Sequence, residues 1–299
     1  MIVPYGPLMD EQGLAGIGII DTMMGTRAGA AASQQAYAFL QPQLKDAGSQ
    51  AMEMPAEYLF KDVPHRGDEP PQGADLLLPA MDRWGVERAL ISVSNDAAEE
   101  ALRRYPDRFL ASCEFDPNRG MDGVRDVVRA YETWGVRAIT VFPAGLMPQV
   151  AIDAPQMYPF YAKAVELGVP VFCCAGIPGP RVPSAPQRVD LIDRVMYDFP
   201  ELVFVTRHGC EPWTDLMVKL MLKWPNLYYS TSAFSPKHYP KAIIDYANTR
   251  GADKVLYAGY FPMGLPLDRI MTEMPAVAFA DDVWPKFLRE NALKVLGLS

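Results

Sequence analysis

Eight short apolar runs of β type, separated by longer stretches of helical periodicity, constrain this chain more than any other feature. They fall at Gly16–Asp21, Arg88–Val93, Arg108–Phe115, Arg137–Phe142, Pro170–Cys174, Leu202–Thr206, Asn226–Ser230 and Lys254–Ala258. Most are continuous rather than alternating, the pattern of strands buried on both faces of a parallel sheet. Helical periodicity covers Ala74–Trp84, Ala97–Tyr105, Gly123–Trp134, Gln156–Leu167, Val189–Asp198, Pro212–Trp224, Pro240–Thr249, Asp268–Ala278 and Asp281–Leu298. Gly85, Gly135 and Gly168 stand where C-terminal caps belong, and Pro106 and Pro200 where helices stop. Eight strand–helix units in 299 residues predict an α/β fold of the (β/α)8, TIM-like barrel type. An open doubly wound sheet competes, but it calls for a G-x-G-x-x-G turn after the first strand, and that turn reads DTMMGTRAGA.

One barrel domain over residues 1–299 accounts for the whole pattern, with a long polar, proline-bearing insertion at 25–73 between the first strand and first helix. Its length exceeds that of an ordinary loop, so it is expected to cover the barrel mouth; a short helix is expected at Ala31–Leu44. With 49% hydrophobic residues the chain can bury a large core unaided. The net charge of −8 and the lack of a basic run argue against nucleic acid and membrane partners. No apolar run reaches the roughly 18 residues of a membrane helix. Four cysteines, two of them adjacent, read as reduced thiols, and the N-terminus lacks a signal-peptide pattern, so a cytoplasmic location is expected.

Barrel chemistry sits at the C-terminal ends of the strands. Those ends carry Asp21-Thr22-Met23-Met24-Gly25, Ser94-Asn95-Asp96, Glu114-Phe115-Asp116, Phe142-Pro143, Cys173-Cys174, Arg207-His208-Gly209, Ser230-Thr231-Ser232 and Gly259-Tyr260-Phe261. With PVFCCAGIPG, LVFVTRHGCEPW, NLYYSTSAFSP and DKVLYAGYFP, the sequence resembles the amidohydrolase-related (amidohydrolase 2) family, of the aminocarboxymuconate semialdehyde decarboxylase and resorcylate decarboxylase type. The resemblance runs from Ile17 to the C-terminus. It implies a distorted barrel, a small-molecule substrate, a homodimer and one divalent metal, commonly zinc.

The departures bear on chemistry. The family's D-x-H-x-H after strand one is here Asp21-Thr22-Met23-Met24-Gly25. The histidine after strand five is matched by Cys174, and the aspartate after strand eight by Tyr260. Only the histidine after strand six is retained, as His208. Zinc needs three or four convergent N, S or O ligands, and the chain has only His65, His208 and His238. The expectation is therefore no metal ligand, no cofactor and a lost zinc site.

Four residues emerge as catalytic candidates. His208 is a general acid or base, or a relic of the metal site. Tyr260 donates to a developing oxyanion, or fills vacated space. Cys174 is a nucleophile if His208 lowers its pKa, or a small apolar filler. Asp21 is retained and takes a supporting role. Met23, Met24, Glu114, Phe142, Ser232, Phe261 and His65 are the substrate-lining candidates. Strand alternation turns Arg207 outward if His208 turns inward. The functions in view are a metal-independent hydrolase or carboxy-lyase that decarboxylates, hydrates or hydrolyses a carboxylated or carbonyl-bearing molecule, a non-catalytic binding protein on the same barrel, and a metal hydrolase with unusual ligands.

Overall fold

The computed structural model describes residues 16–27, 34–54, 56–60 and 71–298. Its sheet runs in sequence order: β1 (Ile19–Met24), β2 (Val86–Ser92), β3 (Phe109–Glu114), β4 (Ala138–Val141), β5 (Val171–Cys174), β6 (Phe204–Arg207), β7 (Leu227–Ser230) and β8 (Val255–Leu256). Every neighbouring pair is parallel. Across the remaining gap, the Thr22 N–H donates to Tyr257 O at 3.3 Å, Tyr260 N–H to Met23 O at 3.1 Å and Gly25 N–H to Phe261 O at 2.9 Å. These bonds join β8 to β1 and close a TIM-like barrel.

Helices connect the strands on the outside, among them Gly73–Trp84, Asp96–Arg104, Gly120–Trp134, Tyr158–Leu167, Leu191–Asp198 and Thr214–Lys223. Gly85, Gly135 and Gly168 close three of them in the left-handed conformation, with φ of 69°, 59° and 66°. The expected strands and helices are present, with shifted ends. β8 shrinks to two residues because the chain turns at once into Gly259-Tyr260. The last helical stretch is not continuous: Val283–Pro285 passes through a π-helical turn, Lys286–Glu290, into Asn291–Val295. The helix expected at Ala31–Leu44 is, within the described residues, α-helical at 34–36 and then a 3₁₀ turn at Ala38–Gln43 that contains Pro42.

Two apolar layers hold the fold. One lies between strands and helices. The other fills the barrel floor with one side chain per strand: Ile20, Leu90, Leu110, Ala138, Phe172, Val205, Tyr228 and Leu256, plugged from below by Ala292, Val295 and Leu296. Because side chains alternate, the residues two further along face inward as well. That next layer is polar on seven strands, with Thr22, Ser92, Ser112, Thr140, Cys174, Arg207 and Ser230, while Ala258 follows Leu256 on the eighth. The barrel thus changes from apolar floor to polar mouth within two residues.

Parts of the segment between β1 and the first helix contact the loops around the mouth. Gln43 donates to Gly145 O at 2.7 Å, Tyr58 to Gly179 O at 2.7 Å, and Phe60 stacks on Tyr260.

Candidate active site

The strand β6 delivers two candidate residues. Val205 belongs to the floor, so Arg207 shares its inward face. The expectation that Arg207 turns outward is corrected. His208 has left the strand in a left-handed conformation (φ 64°), so alternation no longer governs it, and both residues can serve the mouth. Arg207 is 9% exposed. Its Cζ lies 5.0 Å from the Phe172 ring centroid, and its Nη2 donates to Thr22 O at 3.4 Å. Its Nε has no hydrogen-bond partner. Burial pulls its pKa down, while Cys174 and Glu114 push it back up.

Ser232 fixes His208. Ser232 Oγ accepts the His208 backbone N–H at 3.0 Å and lies 3.2 Å from Nδ1. Since that Oγ already accepts, its own proton is available to Nδ1, which leaves the ring proton on Nε2. Burial, then the charge of Arg207, holds the imidazole pKa at about 3, so the ring is neutral at ordinary pH. Ser232 is 0% exposed; it positions the histidine and does not line a substrate surface, a correction to its expected role.

The Tyr260 ring packs edge-on against His208, with centroids 5.3 Å apart. Tyr260 is also left-handed, with φ of 70°. Non-glycine residues pay of order 1–3 kcal/mol for sparsely populated backbone conformations. Such strain on adjoining residues from β6 and β8 is a feature of functional sites. On its other face Tyr260 stacks on Phe60 at 6.2 Å, and its hydroxyl lies 3.4 Å from that of Tyr37.

Asp21 sits behind this pair. It is 0% exposed and lies on the β1 face that pairs with Ala89, away from the interior. Its Oδ1 accepts N–H groups of Met23 and Gly259, both at 2.9 Å. Its Oδ2 and the Tyr257 hydroxyl are buried beside Gly259 and interact with each other outside ideal hydrogen-bond geometry, the hydroxyl lowering the carboxyl pKa. Burial raises the carboxyl to about 7 against the backbone hydrogen bonds that lower it. Asp21 therefore ties the turn after β1 to the turn that carries Tyr260. Its carboxyl faces Tyr257 and Gly259 and not the barrel interior.

The remaining candidates scatter. Glu114 lies on the inward face of β3 and is exposed into the mouth; surrounding protein raises its carboxyl pKa, and Arg207 lowers it. Cys174 faces inward but is 6% exposed, and burial pushes its thiol up to about 12 despite Arg207. A nucleophilic thiolate is not available there, which corrects the nucleophile reading. Met23 is half-buried at the seam. Met24, expected at the pocket, instead packs in the layer outside the barrel, paired with Ile91. Phe142 is half-buried and edge-on to Phe39 at 6.4 Å. Phe261 packs against the same outer layer, not toward the mouth. His65 lies outside the described residues, and His238 is exposed. Sequence reasoning missed Tyr37, Phe60 and Tyr257, which carry no motif, and gave Arg207 the wrong face.

A family model described as amidohydrolase matches residues 54–298. The chain belongs to the amidohydrolase family. No curated protein matches it. Among solved structures, this amidohydrolase is similar to an uncharacterised TIM-barrel protein from Bordetella bronchiseptica, at 21% identity and TM-score 0.70, over 94% of this chain and 99% of that one. A 2,6-dihydroxybenzoate decarboxylase complexed with 2,6-dihydroxybenzoate is 17% identical, TM-score 0.64, over 94% and 99% of the two chains. A 5-carboxyvanillate decarboxylase from Novosphingobium aromaticivorans, complexed with manganese and 4-hydroxy-3-methoxy-5-nitrobenzoic acid, is 16% identical, TM-score 0.63, over 96% and 97%.

That manganese corrects the cofactor expectation: amidohydrolase barrels of this shape are crystallised with a metal, so a cofactor-free site is not the reading to carry forward. Among the described residues, however, no three His, Cys, Asp or Glu side chains gather in a group that could hold a metal ion. The inward places instead carry the Arg207 guanidinium and a thiol that stays protonated. The described residues do not fit the ion, and no chemical step is derived through one.

Proposed function

We propose that this amidohydrolase is an enzyme whose active site is the polar mouth of the barrel, and that it acts on a carboxylated or carbonyl-bearing small molecule by decarboxylation, hydration or hydrolysis. The observation that carries this reading is the pairing of His208 and Tyr260, brought edge-to-face from β6 and β8 with both backbones in left-handed conformations. With its Nδ1 held by Ser232 and its ring neutral, His208 donates its Nε2–H to an oxygen of the substrate on which negative charge develops, in place of the acid–base role expected from sequence. Tyr260 supplies a second donor at the same place. The segment contacting the mouth through Phe60 and Tyr58 shields the site from bulk water. Decarboxylation is the first reaction to test, because the electron pair left behind when carbon dioxide departs delocalises onto a substrate oxygen that the His208 Nε2–H and the Tyr260 hydroxyl can hydrogen-bond, and a proton from solvent then replaces the lost group on carbon.

The test is a release assay for carbon dioxide on purified protein, with and without added manganese, over aromatic carboxylic acids that include 2,6-dihydroxybenzoate and 5-carboxyvanillate. Turnover that disappears in His208→Ala and falls in Tyr260→Phe supports the reading. Turnover unchanged in His208→Ala, or none on any carboxylated or carbonyl-bearing compound supplied, overturns it.

A further inference from the structure

Inside the barrel two opposite charges face the same space without meeting. Arg207 follows Val205 on the inward face of β6, and Glu114 follows Leu110 and Ser112 on the inward face of β3. Each charge acts on the other, yet no ion pair joins them. Arg207 lies deep, at 9% exposure, and Glu114 is open to the mouth. A guanidinium has five N–H donors. Here one reaches a carbonyl oxygen at 3.4 Å, and Nε reaches nothing. Burying a cation so poorly answered costs several kcal/mol. The Phe172 ring beneath it returns only about 1–2 kcal/mol. The fold maintains this arrangement in a layer that also carries the hydroxyls of Thr22 on β1 and Ser230 on β7.

We propose that Arg207 and Glu114 are the two ends of one ligand socket. Arg207 takes a carboxylate, and Glu114 accepts a hydrogen bond from a hydroxyl or ammonium group elsewhere on the same molecule. The ligand class is a small hydroxy- or amino-carboxylate that enters acid end first. This rests on the mouth being the active site, and it names the two residues that set specificity there. The planar fork suits a carboxylate in a bidentate grip, which a lysine would not reproduce. The separated charges also reject a simple dianion, whose second negative end would meet Glu114.

Equilibrium binding to the full chain, by titration calorimetry, tests this with salicylate, 3-hydroxybenzoate and 4-hydroxybenzoate, each beside its amide and its methyl ether. At least one acid is expected to bind about tenfold or more tightly than its amide, the ratio that a charge-assisted contact of about 1.4 kcal/mol confers. Arg207→Lys should cut that ratio several-fold, and Arg207→Met should erase it. Glu114→Ala should keep the acid-over-amide ratio and lose the preference for hydroxyl over methoxy. Equal binding of acid and amide by the unaltered chain overturns the proposal, as does a preference that survives in Arg207→Lys and Arg207→Met, or no saturable binding of any acid. The comparison within the unaltered chain stands even if Arg207→Met fails to fold. Selective binding without turnover retires the enzymatic reading and leaves the socket; turnover without selectivity does the reverse.

Discussion

Replacing Asp21 by asparagine changes one buried proton and little else, so its effect can be worked out from the seam between β1 and β8. The folded carboxyl titrates at about 7, against an ordinary value of 3.8. Between those values the native state keeps a proton that the unfolded state has released. Stability therefore falls as pH rises through that window and levels off above about 7. At about 1.4 kcal/mol per pH unit the full penalty is roughly 4 kcal/mol, and about 3 kcal/mol of it accrues between about pH 4.5 and about pH 8. The substituted amide would keep an oxygen for the Met23 and Gly259 N–H groups and place its nitrogen against the Tyr257 hydroxyl, so the stability of the variant should not follow this window. Urea unfolding at the two pH values gives the comparison. The Asp21→Asn protein should gain roughly 3 kcal/mol on the unaltered chain in going from the lower to the higher pH. Two curves that stay parallel across the range would show that the carboxyl is not titrating near 7 and that the burial argument is wrong.

Other outcomes can be checked on the same protein. His208→Ala should lower kcat by about 10²–10³, the loss of one oxyanion donor, and because burial holds His208 at about 3, the pH profile of the unaltered enzyme should show no histidine limb from about pH 5 to about pH 8. Cys174→Ser should leave turnover within a few-fold, and Cys174 should resist iodoacetamide near neutral pH, since its thiol is held at about 12. A Cβ at Gly259 would lie 2.5 Å from Asp21 Oδ2 and 2.7 Å from the Tyr257 hydroxyl. Gly259→Ala should accordingly cost about 1–3 kcal/mol in a melting experiment, and less in an Asp21→Ala background that removes the first contact.

The strands were legible because they are buried on both faces, which forces continuous apolar runs such as Leu202–Thr206 and Pro170–Cys174. Three helix ends were legible because a left-handed cap favours glycine, as at Gly85, Gly135 and Gly168. The mouth was legible as a set of strand ends but not as a geometry. Arg207 shows why. Alternation says that Arg207 and His208 oppose each other, and it holds only while the chain stays extended; the left-handed turn at His208 cancels it, and histidine gives no advance sign of that turn. Met24 shows the same limit: an irregular register between Asp21 and Met24 carries it to the outer layer. Asp21 was read as a support from its place at the end of the first strand, but the groups that meet its carboxyl, Gly259 and Tyr257, lie more than 230 positions away.

The sealed floor has a kinetic consequence. Among the described residues, Ala292, Val295 and Leu296 pack against eight inward side chains and fill the barrel interior at that end. With that end filled among the described residues, a product formed at the proposed site leaves by the mouth, the route the next molecule needs. Product and substrate then exclude each other, so product should inhibit competitively, and turnover should slow as it accumulates, well before substrate runs out.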